Sequence, residues 1–154
     1  MLVTQDEIVN IVRHGQAEGK TFVVTNGCFD ILHVGHIRYL QKTKKYADKL
    51  IVMLNSDKSV KAIKGEDRPI NCEEDRAEIL SSLSCVDYVV LFDENSPAKL
   101  LDDIKPNVYT KGADYTLESL PERDIVIKNN IKVEFIDFVQ GKSTTNVIKK
   151  INEK

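Results

Sequence analysis

The sequence is short of several things, and each shortage closes off a class of protein. Its 154 residues include three histidines, three cysteines and seven glycines. An odd cysteine count without paired spacing does not build a disulfide framework and suits a reducing cytoplasm, the expected location. No apolar run approaches the roughly 20 residues that span a bilayer; "LIVML" at 50–54 is among the longest. The N-terminus "MLVTQDEIVNIVRHG" carries acids early and has no small-residue cleavage site, so it does not read as a signal peptide. An excess of one charge is missing too. The 22 Lys and Arg nearly cancel the 24 Asp and Glu, leaving a formal net charge of −2. That balance exerts no global pull toward nucleic acid or a membrane surface, so an anion site must be local.

The glycines are too scattered for two phosphate motifs. No G-x-G occurs, which removes the dinucleotide fingerprint. "GKST" at 141–144 resembles the tail of a P-loop, but that loop needs a glycine five positions before Gly141, where Ile136 stands. If a nucleotide binds here, another device holds its phosphates.

The pattern that is present alternates short apolar runs with amphipathic stretches of helical length, which predicts βα units and a mostly parallel sheet. Strands are expected at 21–26, 49–55, 86–92, 106–110 and 131–136, each apolar enough to be buried on both faces. Helices are expected near 4–17, 35–47, 73–84, 96–104, 118–129 and 143–152. Thr4 with Glu7 has capping-box spacing, and Ser96 before Pro97 reads as an N-cap followed by a first-turn proline. The expectation is one domain over 1–154, a doubly wound, mostly parallel five-stranded sheet with helices on both faces. Such folds bind ligands beyond the carboxyl ends of their strands, where the strand order reverses.

Two of the three histidines fall within "NGCFDILHVGH" at 26–36, at the passage from an apolar strand to a helix. His33 and His36, three apart, would occupy neighbouring positions in a first helical turn, where unpaired N–H groups and the helix dipole favour an anion. Gly35, without a side chain, would let that anion approach the backbone. Two imidazole donors on one phosphoryl group would stabilise the charge that builds on it during in-line displacement. A metal site from Cys28, Asp30, His33 and His36 is the competing reading, although C-x4-H-x2-H is not a structural zinc spacing. No serine or cysteine nucleophile is evidently paired with the histidines for proton-transfer chemistry. His14, alone in a helix, reads as structural.

"GCFDILHVGH" closely resembles the G-x-F-D-x-x-H-x-G-H signature of the cytidylyltransferase-like nucleotidyltransferases, whose fold is Rossmann-like. "NSDKSVKAIKGEDRPIN", "DRAEILSSLSCVDYVVLFDENSP", "KGADYT" and "GKSTTNVIKKI", in that order, are similar to the adenylyltransferase domains of ADP-heptose synthases. The resemblance covers nearly all of residues 21–152. It implies that His33 and His36 contact the nucleotide phosphates as pyrophosphate leaves, and that Asn26, Gly27, Phe29 and Asp30 form the loop the nucleotide passes. For Phe29 a core anchor is an equal alternative. Ser143, Thr144 and Thr145 match the second phosphate element, against the plainer reading of a helix cap. Lys61, Lys64 and Arg68 fall in a glycine-containing loop whose lysines reach the triphosphate or the substrate phosphate. Lys61 is expected at the chemistry, and Lys64 and Arg68 at the substrate phosphate. Arg76 matches an arginine that binds phosphate or holds the site together, against a surface ion pair. Gly112 and Asp114 match the segment near base and ribose, although Ala113 stands where many relatives have a second glycine. Lys142 falls where relatives vary.

The resemblance further implies transfer of AMP from ATP to a sugar 1-phosphate, with D-glycero-D-manno-heptose 1-phosphate favoured. Mg²⁺ would bridge phosphate oxygens and take few protein ligands. A homodimer and a separate sugar kinase upstream are expected. The alternatives are a cytidylyltransferase acting on glycerol 3-phosphate or another polyol phosphate, and a non-catalytic nucleotide-binding module. Phe138 replaces the arginine common to the glycerol-type branch, which favours the heptose type.

Overall fold

A computed structural model describes residues 1–137 and 143–153. Six parallel strands run β1 (Leu2–Val3), β2 (Phe22–Gly27), β3 (Lys49–Asn55), β4 (Tyr88–Phe92), β5 (Val108–Gly112) and β6 (Lys132–Ile136). Their order in the sheet is β1-β4-β3-β2-β5-β6. The helices between them are α1 (Gln5–Ala17), α2 (Val34–Lys44), α3 (Asp57–Lys64), α4 (Glu73–Ser81), α5 (Ala98–Ile104), α6 (Arg123–Lys128) and α7 (Thr144–Asn152). Two apolar clusters sandwich the sheet, one including Ile8, Phe22, Ile51, Leu101 and Tyr109, the other Leu40, Leu50, Val52, Leu54 and Leu80. Helices therefore cover both faces, and strand residues 50–54 are fully buried, as a parallel strand requires.

The five expected strands are present and a sixth joins them. Leu2–Val3 pairs with Val89–Val90 at the sheet edge, and two residues are too few to carry any period in the sequence. The segment 57–64, expected as loop, is a helix. Its start and stop signals are ordinary ones: Ser56 Oγ accepts from Ser59 N at 3.2 Å, and Gly65 follows the last turn at φ 106°. Thr4 and Glu7 form the expected capping box. Ser96 Oγ does accept from Ala98 N, but Pro97 itself occupies the N-cap, so the helix begins one residue later than expected.

The chain moves outward from β2 through β3 to β4, then returns to lay β5 on the other side of β2. The order reverses between β2 and β5. There the pairing is brief: β2 matches β3 over six residues, from Phe22 to Gly27, but meets β5 only at Val23–Val108 and Val24–Tyr109. Beyond that point the two strands part. Thr25 Oγ1 donates to Thr110 O at 3.3 Å, and the hydroxyls of Tyr39, Thr43 and Thr110 bond across the gap. A seam of hydroxyls in place of a backbone ladder opens the sheet at its carboxyl end.

Candidate active site

The opening leads into a cleft of about 850 Å³ lined by the ends of β2 and β5 and by residues from α2, α3 and α7. That volume suits a ligand of nucleotide size. At its centre His33 is the N-cap of α2, and His36 lies three residues inside. Their rings stack at 3.9 Å between centroids, 28° from parallel. Gly35 N donates to His33 Nδ1 at 3.0 Å, His33 N donates to His36 Nδ1 at 3.3 Å, and His36 N donates to His33 O. The expectation that this terminus shows open N–H groups to an anion is corrected: these amides are spent on the histidines. The consequence is chemical. An Nδ1 that accepts fixes the neutral ring's proton on Nε2, so each neutral imidazole carries its N–H there. Burial, then His33 beside it, holds His36 at about 4, well below the ordinary histidine value. At neutral pH it is an uncharged donor.

Phe29 supports this pair. Its φ is 46°, an unusual conformation for an aromatic residue, and it is buried with its ring 5.2 Å from that of His36. It belongs to the core and also lines the cleft. A Cβ on Gly27 would lie 2.8 Å from the Phe29 ring, so the close approach admits only glycine.

Asp30 and Arg76 do different work from the nucleotide contacts expected of them. The Asp30 side chain is inaccessible to solvent. It accepts from Arg68 Nε at 2.7 Å and from the amides of Ile70 and Asn71 at 2.9 Å, while Asn71 Nδ2 returns a bond to Asp30 O. Burial pushes its pKa up, but the Asn71, Ile70 and Arg68 donors outweigh that and hold it below the ordinary value. Arg76 is buried and does not line the cleft. Its guanidinium donates to the carbonyls of Asn71, Cys28 and Asn55 and to Asp57 Oδ1, at 2.7–2.9 Å. Those bonds tie together four segments that meet under the cleft. The surface ion pair is excluded, and phosphate contact gives way to the holding role.

Lys64 and Arg68 reach the cleft lining. Arg68 spends only Nε on Asp30, which leaves the rest of its fork for an anion. Lys61 does not line the cleft. One turn back on α3, about 4.5 Å along the axis, it is exposed. The catalytic place expected for it is therefore not where the fold puts it; placing Lys61 and Lys64 in one glycine-containing loop hid that helix α3 sets them a turn apart. Across the cleft, Ser143 Oγ caps α7 by accepting from Asn146 N at 3.0 Å, and Thr144 Oγ1 donates to Ile31 O at 2.8 Å, fastening this second helix terminus to the loop before His33. Ser143, Thr144 and Thr145 all line the cleft, as do Asn26, Gly27, Gly35, Gly112 and Asp114. Ala113 is not among the positive-φ residues, so alanine is unstrained there. Phe138, Gly141 and Lys142 lie outside the described residues.

Among the lining residues that the sequence reading did not single out are Lys111, Tyr115 and Glu122. Lys111 and Tyr115 stood inside the quoted "KGADYT", and their position at a strand's carboxyl end was the available signal. Glu122 had none, since its carboxylate reaches the cleft only through the placing of a loop. Cys28 also lines the cleft, with burial raising its thiol pKa, which does not suit a nucleophile. No group of three or more His, Cys, Asp or Glu among the described residues could hold a metal ion, so the competing metal reading does not assemble.

The cleft thus combines a parallel sheet opened where its order reverses, two stacked histidines heading one helix and a Ser-Thr-Thr cap heading another. The chain belongs to the cytidylyltransferase-like family, whose family model matches residues 24–150. It is 51% identical to the bifunctional protein HldE of Geobacter metallireducens over 95% of this chain and 30% of that one. It is also 51% identical to the bifunctional protein HldE of Campylobacter fetus subsp. fetus, over 97% of this chain and 31% of that one. The chain thus spans about 30% of the length of these relatives. A crystal structure of the lipopolysaccharide core biosynthesis protein from Thermoplasma volcanium superposes with a TM-score of 0.63 at 33% identity, covering 80% of this chain and all of that one. No helix among the described residues is long and apolar enough to cross a membrane.

Proposed function

We propose that the chain transfers AMP from ATP to a sugar 1-phosphate, D-glycero-D-manno-heptose 1-phosphate in the first instance, giving ADP-heptose and pyrophosphate. The observation that carries this reading is the pair of Nε2–H donors on His33 and His36, set by backbone bonds at the reversal of the sheet. The acceptor's phosphate oxygen attacks the α-phosphorus, the bond to the bridging oxygen breaks, and pyrophosphate leaves with the negative charge. A rigid pair of donors aimed at the oxygens where charge builds lowers that barrier without reorganising. Lys64, Arg68 and the capped terminus of α7 orient the remaining phosphate oxygens. The relatives named as bifunctional HldE support the heptose acceptor over glycerol 3-phosphate.

Mg²⁺ fits the residues present in one way. Among the carboxylates that line the cleft, Asp30 is committed to Arg68 and the 70–71 amides and Glu122 is buried with the Lys111 ammonium 3.7 Å away, whereas Asp114 is exposed. Asp114 would then be a protein ligand to an ion carried in on the triphosphate, in keeping with the few carboxylates this ion takes. When bound it neutralises phosphate charge. The chain itself orients the reacting oxygens.

Pyrophosphate release from ATP and from CTP, each against heptose 1-phosphate, other sugar 1-phosphates and glycerol 3-phosphate, tests the reading. ATP with the heptose is expected to turn over fastest; turnover of CTP with glycerol 3-phosphate alone would overturn it. The variant His36→Ala is expected to bind ATP within a few-fold of the parent and lose roughly 100- to 1000-fold in kcat. Near-normal kcat would remove the role assigned to the pair.

A further inference from the structure

The walls of the cleft differ in charge. One presents Lys64, Arg68 and the donor histidines; the other, at the ends of β2 and β5, presents Asn26, Lys111 and Glu122. Lys111 and Glu122 cancel each other, which suits a neutral polar ligand group rather than a phosphate. Glu122 is 2% exposed. It stands at the N-cap of α6, but its side chain makes no capping bond and turns to the sheet. There Oε1 accepts from Tyr109 Oη at 3.2 Å and faces Lys111 Nζ at 3.7 Å. Oε2 is buried and finds no hydrogen-bond partner among the described residues.

Lys111 is likewise undersupplied. Its Nζ bonds Asn26 Oδ1 at 3.4 Å, lies 3.7 Å from Glu122, and stands over the rings of Tyr109 and Tyr115 at 5.9 and 5.0 Å. Asn26 Oδ1 already accepts a shorter bond, 2.7 Å, from Tyr109. One wall of the cleft therefore holds a fixed cationic donor and a fixed anionic acceptor, each short of a partner. The group that supplies both needs is a hydroxyl, which accepts from the ammonium through a lone pair and donates its proton to the carboxylate.

We infer that Lys111 and Glu122 form a hydroxyl-recognition pair that selects for a sugar hydroxyl in the cleft, with Tyr109 and Asn26 holding the pair in place. The inference rests on the nucleotidyl-transfer reading for the presence of a sugar there. The same chemistry comes from two sources, the ribose of the nucleotide and the acceptor sugar. A buried polar pair rejects a ligand lacking the hydroxyl because its own groups are then left unpaired.

Titration calorimetry on the full chain tests this in two arms. One compares ATP with 2′-deoxy-ATP and 3′-deoxy-ATP; the other compares heptose 1-phosphate with its monodeoxy analogues in the presence of a non-hydrolysable ATP analogue. The proteins are the parent, Glu122→Met and Lys111→Met, each checked by circular dichroism and thermal midpoint, so that one variant serves if the other does not fold. In one arm, loss of a single hydroxyl is expected to weaken binding to the parent roughly 10- to 100-fold. It should weaken binding to either variant less than about threefold, a coupling that a merely structural role would not produce. Coupling in the first arm assigns the pair to the ribose, and coupling in the second to the acceptor. Equal losses in parent and variants in both arms would overturn the inference, while turnover of the parent would leave the nucleotidyl-transfer reading standing. A parent that binds neither ATP nor any sugar phosphate would overturn both.

Discussion

His36 illustrates how a side chain's chemistry is set by neighbours rather than by its type. Its Nδ1 takes a backbone proton, Phe29 and His33 pack on its ring, and it is held at about 4. The unfolded imidazole gains its proton near 6.5, whereas the folded one resists until about 4. Between those values the unfolded state binds more protons, so stability falls as pH falls through that window and is fully present above it. Thermal midpoints measured from neutral pH down to about 4 should therefore drop more steeply for the parent than for His36→Asn, which keeps an acceptor near the Nδ1 position. Parallel curves would show that His36 ionises normally in the folded chain. The sequence exposed the histidine pair by its spacing alone, but the direction of each ring's proton needed the backbone amides that only the folded turn supplies.

The segment from Gly65 to Asn71 has no regular structure of its own and is held from outside. Asp30 grips its far end through two amides and Arg68, and Arg76 grips it again through Asn71 O. Removing a buried ionic partner leaves the other charge uncompensated, so Asp30→Ala should cost roughly 3 kcal/mol of stability. It should also raise KM for the phosphate ligand, since Arg68 loses its anchor; denaturant unfolding and steady-state kinetics read the two effects separately. A stability loss with unchanged KM would detach Arg68 from the ligand. The motif "GCFD" was legible as a signature, yet its aspartate read as a nucleotide contact. Sequence distance concealed that residues 30, 68 and 76 form one tie.

Taken whole, the molecule joins two helix termini across one crevice, α2 with its histidines and α7 with its serine cap, and Thr144 on Ile31 links them. A ligand that bridges both termini binds only the folded chain and must stabilise it by mass action. At 100 times its Kd, ATP is expected to add about 2.7 kcal/mol, a rise in midpoint of roughly 5–10 °C for a domain of this size. His36→Ala should keep most of that rise, because its donor acts chiefly as charge develops. No rise with ATP in the parent would argue against nucleotide binding.

Five of the six strands, most helices, the histidine pair and the Ser-Thr-Thr element were readable in the chain because each rests on local periodicity, capping chemistry or a contiguous motif. Strand order, the parting of β2 from β5, the tie of Asp30 to Arg68, the burial of Arg76 and the arrival of Glu122 opposite Lys111 were not. They depend on residues 11 to 85 positions apart meeting in space, and such meetings are decided by how the layers pack.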